Sequence, residues 1–300
     1  MPAGDDARLE RALRSLDGLS VGDAFGERFF ASTEAIPERR LPAPPWRWTD
    51  DTAMACGIVR ALAQRGRIDP DELAEIFASD YAQQPERGYG RGAHVVLSSI
   101  ARGIGWRDAS RQLFGGEGSR GNGAAMRVAP LGAHFADDLD RVAQEAERSA
   151  VVTHAHDEAV AGAVAVAVCA ALMARTASGT SWLGPRALLA ALTAYVPSGP
   201  IRAALSRAVQ LPEGYSSAQA AAELGSGQRL LAVDTVPFAL WVAVHHQASY
   251  ADALWAAVEG LGDMDTTSAI VGGLVALITD VPADWLQARE ALPALAGAGG

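Results

Sequence analysis

Four carboxylates and two threonine hydroxyls stand in two short clusters of this chain. One is Thr49, Asp50 and Asp51 in "WRWTDDTAMACG"; the other is Asp263, Asp265 and Thr266 in "GLGDMDTTSAIVGG". Each cluster opens an apolar helical run, so each serves first as a helix cap whose acids suit the positive end of the helix dipole. A pair of such clusters allows a second reading. Their donors are all hard oxygens, the set that suits Mg²⁺, Mn²⁺ or Ca²⁺ rather than zinc. The second cluster begins like a calcium loop, but an EF-hand requires Gly at its sixth position and Glu at its twelfth, and here those are Ser268 and Leu274. Four carboxylates gathered in one pocket repel unless cations neutralise them. Two divalent ions about 3.5–4 Å apart can then orient a substrate and activate water. The reading requires the fold to bring the two clusters together.

A third segment, "GSRGNGAAMRVAPLG" (118–132), is glycine-rich and then helical in pattern. Such a turn presents consecutive backbone N–H groups, a seat for phosphate or diphosphate, and Ser119 and Asn122 add side-chain donors. No Gly-Lys-Ser/Thr follows, so it is not a Walker A loop, and a tight structural turn explains the glycines equally well. In "THAHDEA", His154 and His156 are two residues apart and do not share a helix face. They fit no HExxH pattern, and His245 and His246 lack a metal spacing too. Each histidine alone reads as a structural or exposed group. Asp157 reads as a first-turn acid, and Trp46 and Trp48 as loop anchors. No Ser–His–Asp order or cysteine nucleophile stands out.

The elements that must position these residues are helical almost throughout. Apolar residues recur at helical spacing in 7–30, 69–83, 137–156, 181–195, 201–211, 235–247, 249–262 and 266–278, with Pro237 expected in the first turn of its helix. Loops rich in Gly and Pro join them (31–45, 86–94, 114–123). The run "AVAGAVAVAVCAALMA" (159–174) is too short for a membrane span and reads as a core helix. No fixed-period repeat or linker divides the chain, so the expectation is an all-α, compact multi-helix fold in one domain over residues 1–300, with its core at about 8–292. With 300 residues and 49% hydrophobic content, there is ample material for a buried core. A net charge of −10 argues against general nucleic-acid binding, which rests on Lys and Arg. Cys56 and Cys169 are far apart in apolar runs, and the charged N-terminus is no secretory signal. The expected setting is cytoplasmic, with no membrane partner.

Taken together, these segments resemble the ADP-ribosylglycohydrolases of the dinitrogenase reductase-activating glycohydrolase type. The matching stretches are "GLSVGDAFGE", "WTDDTAMA", "GNGAAMRVAPLG", "THAHDEAVAGA", "TVPFALW" and "GLGDMDTTSAIVGGLVAL", in the family's order from about residue 18 to about residue 279. The resemblance implies an all-α fold with a two-metal site, usually Mg²⁺ and sometimes Mn²⁺. It makes Thr49, Asp50, Asp51, Asp263, Asp265 and Thr266 the metal ligands. Gly118, Ser119, Gly121, Asn122 and Gly123 would hold the diphosphate and nearby ribose with His154, and the loop containing Gly90 and Gly92 would border the same groove. Several members carry a Glu eight residues after the Gly of "GDA"; here that position is Phe30. Glu27, one helical turn earlier, is a candidate substitute, and Asp50, Asp51 and Asp265 are candidates for the catalytic base. The implied substrate carries ADP-ribose, most simply an ADP-ribosylated protein. Two other classes stay open: a non-catalytic binding or structural protein on the same scaffold, and a metal-dependent nucleotide phosphohydrolase.

Overall fold

The computed structural model describes residues 3–179 and 183–294. Among them are fifteen α-helices and no β-strand. In chain order these are α1 (Ala3–Glu27), α2 (Asp50–Arg65), α3 (Pro70–Gln83), α4 (Arg91–Ala101), α5 (Trp106–Arg111), α6 (Ala129–His134), α7 (Leu139–Ala150) and α8 (Asp157–Ala177). They continue with α9 (Pro185–Leu192), α10 (Pro200–Gln210), α11 (Ser217–Leu224), α12 (Ala232–His245), α13 (Tyr250–Val258), α14 (Met264–Val275) and α15 (Ala283–Ala288). The all-α expectation therefore holds.

The centre is built from the helices with the least polar sequence. In α8, fourteen of 21 residues are buried, which makes this Ala/Val run a core helix despite its membrane-like composition. Beside it, α12 buries all but two of its fourteen residues. Around this centre the site depends on one pairing, α1 against α14. Gly18, Gly22 and Gly26 recur every fourth residue on one face of α1, and a Cβ on any of them would overlap atoms of α14 or its C-cap: Gly272 and the C-cap Ala276, then Ser268, then Met264. That order runs backwards along α14, so the helices are antiparallel and in backbone contact. The C-terminal end of α1, with Asp23 and Glu27, thus lies against the N-terminal end of α14.

An aromatic cluster fixes the same end of α1. The Phe25 ring lies 4.9 Å from those of Phe29 and Trp255 and 4.8 Å from Trp285, with Trp46 at 5.6 Å. Trp46 is also tied through its backbone to Ala288 and Glu290 at 2.7 and 2.8 Å. Both loop tryptophans are anchors as expected, and they deliver the chain to Thr49.

Three local expectations change. First, α12 begins at Ala232, so Pro237 sits at its sixth position rather than in the first turn. The extra turn forms because Ala232 N–H donates to the Arg120 carbonyl at 2.9 Å, and the Leu230 carbonyl accepts from Asn122 N–H at 3.2 Å. Tertiary pairing sets this helix start, and Pro237 removes only one intrahelical bond. Second, the segment after the glycine turn is not one helix. A 3-10 turn at Asn122–Ala124 is followed by the short α6, which starts at Ala129 with Pro130 in its first turn. Third, helix ends lie inside the expected spans: α7 stops at Ala150, and 151–156 form the turn that carries Thr153 and His154. Of the helix expected over 181–195, residues 181 and 182 lie outside the described residues, and α9 covers Pro185–Leu192.

Candidate active site

Three helix ends converge: the C-terminal end of α1 and the N-terminal ends of α2 and α14. Asp23 is the hub. Its carboxylate is fully buried and accepts from Thr49 N–H at 2.9 Å, Thr49 Oγ1 at 2.8 Å, Thr52 N–H at 3.1 Å and Thr52 Oγ1 at 2.5 Å. Asp23 thereby caps α2 from a different helix, which Thr49 itself does not do with its own side chain. Sequence reasoning assigned Asp23 no role. The available signal was an acid inside the apolar run "LSVGDAF".

Carboxylate oxygens of Asp23, Asp51 and Asp265 lie within 4.8 Å of one another. Asp51 Oδ1 is buried without a hydrogen-bond partner, and Thr49 Oγ1 reaches Asp51 Oδ2 at 3.2 Å. Burial, then the negative charge of Asp23, pushes Asp50 up to about 8. Asp51 and Asp265 are raised well above the usual carboxylate range, again by burial first and then by neighbouring aspartates. Asp263 is raised by burial too, though Asn122 Nδ2 donates to it at 2.6 Å. Thr266 N–H donates to Asp265 Oδ1 at 2.7 Å. Glu27, half-buried one turn beyond Asp23, is raised by burial and by Asp23. Phe30 is 51% exposed.

Such a nest of oxygens with one orphaned acceptor is unfavourable unless protons or cations neutralise it. The donor set is oxygen only, so the residues fit hard divalent ions such as Mg²⁺ or Mn²⁺.

The cluster forms part of the wall of a cavity of about 530 Å³. Asp50, Asp51, Asp263, Asp265 and Thr266 line it, whereas Thr49 lies behind the wall on Asp23. Gly118, Ser119, Gly121, Asn122 and Gly123 form another stretch of wall with His154, and Gly90 and Gly92 a third. Glu27 is not among the lining residues. The structure therefore gathers the expected acids, glycine turn and α4 loop around one space.

The glycine turn is shaped by close approach. Gly118 adopts φ +77°, and a Cβ on it would come within 2.9 Å of His156 N. Ser119 Oγ accepts from Gly121 N–H at 3.1 Å. His154 is buried, and its pKa is pushed down to about 3 by burial and the nearby Arg127 charge. His156 instead caps α8, its Nδ1 accepting from Glu158 N–H at 3.0 Å. Also on the wall and absent from the sequence reading are Arg127, Phe114 and Leu230. The last two are exposed apolar residues with φ of +52° and +55°.

Comparison with known proteins identifies the family. The profile of the ADP-ribosylglycohydrolase family matches residues 4–298. The chain is 35% identical over 182 residues to bovine (Bos taurus) ADP-ribosylhydrolase ARH3, covering 59% of this chain and 46% of that protein. Against human (Homo sapiens) ARH3 it is 38% identical over 136 residues, covering 44% and 37%. The aligned segments thus span less than half the length of these two relatives. An uncharacterized protein of Archaeoglobus fulgidus is 30% identical over 295 residues, covering 93% of this chain and 92% of the other. Among solved structures, an "ADP-ribosylglycohydrolase-related protein complex" superposes with TM-score 0.65 at 28% identity, covering 95% of this chain and 93% of that one. With the profile spanning nearly its whole length, the chain belongs to the ADP-ribosylglycohydrolase family.

Proposed function

We propose that the protein hydrolyses the glycosidic bond joining ADP-ribose to a protein side chain or small molecule, with Mg²⁺ as its preferred ion and Mn²⁺ as a substitute. The observation that carries this reading is the meeting of two Thr/Asp helix starts with a glycine turn around one cavity large enough for a nucleotide-sized ligand.

Asp50, Asp51, Asp263, Asp265 and Thr266 would hold two ions, with Thr49 and Asp23 behind them. Bound there, the ions supply Lewis acidity at the distal ribose and lower the pKa of water. The protein supplies the rest. The turn from Gly118 to Gly123 binds the diphosphate, and His154 adds a donor. Asn122, fixed between Asp263 and Thr235, holds the turn to the acid cluster. An aspartate of the cluster takes the proton of the attacking water, which displaces the modified group at the anomeric carbon. Phe30 offers no proton to a leaving group. A guanidinium that leaves already protonated needs the least acid help, so arginine-linked ADP-ribose is the favoured substrate.

The test is release of intact ADP-ribose from arginine- and serine-linked substrates, with Mg²⁺ and with chelator, beside Asp50→Ala. Release that requires both the ion and Asp50, faster from arginine, supports the reading. Release of phosphate or nucleoside monophosphate instead would replace it with a nucleotide phosphohydrolase. Binding of ADP-ribose without turnover would make the chain a binding protein.

A further inference from the structure

Arg127 is the most deeply buried cation described in the structure, and it has no salt-bridge partner among the described residues. Its Nη1 donates to Thr153 Oγ1 at 2.9 Å and its Nη2 to the Ser149 carbonyl at 2.8 Å, while the guanidinium lies 4.6 Å from the Phe77 ring centre. Burying such a group is costly. What it does there follows from counting protons.

A guanidinium only donates, so one lone pair of Thr153 Oγ1 is taken by Arg127. The same oxygen lies 2.8 Å from His154 Nδ1. Thr153 borders the cavity but is only 1% exposed, and His154 Nδ1 is the one acceptor within hydrogen-bond distance of its hydroxyl among the described residues. The proton therefore goes to Nδ1. The opposite arrangement, Nδ1–H donating to threonine, strands a buried hydroxyl proton, a penalty worth about tenfold or more in population. With Nδ1 as acceptor, the neutral ring carries its proton on Nε2. That atom faces the glycine turn: a Cβ on Gly121 or Gly123 would come within 3.2 or 3.0 Å of it, and His154 lines the cavity. The backbone of His154 is itself pinned, its N–H donating to the Ala150 carbonyl at 2.9 Å.

We propose that Arg127 and Thr153 form a positioning relay that locks His154 in its Nε2–H tautomer, so that the imidazole offers one fixed, uncharged donor to a diphosphate in the glycine turn. The ligand half of this inference rests on the proposed function; the tautomer does not. Burial and the Arg127 charge, which push the His154 pKa down to about 3, keep the ring from taking a second proton. His154 is thus a donor and not an acid–base group, and Arg127 and Thr153 set its proton position.

The test uses ¹⁵N-histidine NMR of the Mg²⁺-loaded full chain near neutral pH, without ligand, followed by calorimetric titration with ADP-ribose. Wild type should show His154 with a protonated Nε2 and a bare Nδ1. Thr153→Val, which keeps the shape but removes the hydroxyl, should mix the tautomers and weaken ADP-ribose about tenfold. Thr153→Ser should restore both. A wild-type ring protonated on Nδ1, or on both nitrogens, overturns the lock, and this needs no mutant to fold. An unchanged spectrum and affinity in Thr153→Val overturns it as well. Wild type that shows the Nε2–H tautomer yet binds no ADP-ribose would sink the functional reading and leave the lock standing.

Discussion

At the scale of single residues, the site is an accumulation of buried negative charge that the fold tolerates rather than benefits from. Asp51 shows this most directly: it is 1% exposed, Oδ1 has no donor, and burial followed by four other aspartates raises its pKa. Replacing it with asparagine removes one charge and supplies an N–H to a neighbouring carboxylate. In chelator, Asp51→Asn should therefore be more stable than wild type by about 1–2 kcal/mol in urea unfolding, the sign expected where function is kept at the expense of stability. With Mg²⁺ added the order should reverse if the cluster holds the proposed ions, because the variant lacks one of the carboxylates that would hold them. A variant less stable under both conditions would mean that Asp51 is held by favourable contacts instead. The pH dependence has a fixed sign as well. Asp50 is pushed from its ordinary 3.8 up to about 8, so its folded pKa exceeds its unfolded one. In the metal-free protein the Asp50 contribution to stability is then full below the ordinary carboxylate range and lost as pH rises toward about 8. Chelated wild type should unfold at lower urea at pH 8 than at pH 5, and Mg²⁺ should flatten the difference.

Between elements, two contacts set the geometry. The first is the glycine face of α1. Gly22→Ala drives a Cβ into the Ser268 carbonyl, and neither helix can retreat without moving Asp23 or Asp265. We expect a loss of about 3 kcal/mol or more in thermal or urea unfolding, at the upper end for overpacking. Gly90→Ala is the contrast, since φ there is −62° and nothing lies within 4 Å. It should leave stability within about 0.5 kcal/mol and, if the cavity takes substrate, raise KM. The second contact is Arg87. It lies 3.4 Å from the Trp48 ring centre, donates to the Trp48 carbonyl at 3.1 Å, and holds Glu290 through two bonds of 2.8 and 3.0 Å. That staple ties the loop before α4 to the start of α2. Arg87 holds the Glu290 carboxyl below its usual range, so this stability is present at neutral pH and lost as pH falls through the lowered value. The pair is partly exposed and screened, so Glu290→Gln should cost only about 1 kcal/mol near pH 7, a cost that shrinks as pH falls through the lowered value. Most helices were legible because each buries one periodic apolar face. The start of α12 was not, since it depends on pairing with the turn at Arg120 and Asn122. Asp50, Asp51, Asp263 and Asp265 were legible as hard-oxygen clusters. Asp23 and Arg127 were not, because a lone charge in an apolar run announces burial without naming its partner.

Across the whole molecule, the acid cluster joins parts of the chain that are remote in sequence, with Asp23 and Asp51 in the N-terminal fifth and Asp265 near the other end. An unfolded chain has no such cluster, so an ion that binds it binds the native state alone. Stability must then rise with ion concentration, by about 1.4 kcal/mol for each tenfold increase above Kd. The gain should also be local. Amide exchange should slow together at the C-terminal end of α1 and the N-terminal ends of α2 and α14, which meet at the cluster, even where it proceeds by local opening, while locally opening amides of α9, α10 and α11, outside it, stay unchanged. A Mg²⁺ titration followed by thermal unfolding and hydrogen exchange measures both effects. Mn²⁺ should reproduce them, and Asp265→Ala should abolish them. If neither ion raises the melting temperature, the carboxylates are not an ion site, and α1, α2 and α14 are held by the Asp23 hydrogen bonds and the glycine contact alone.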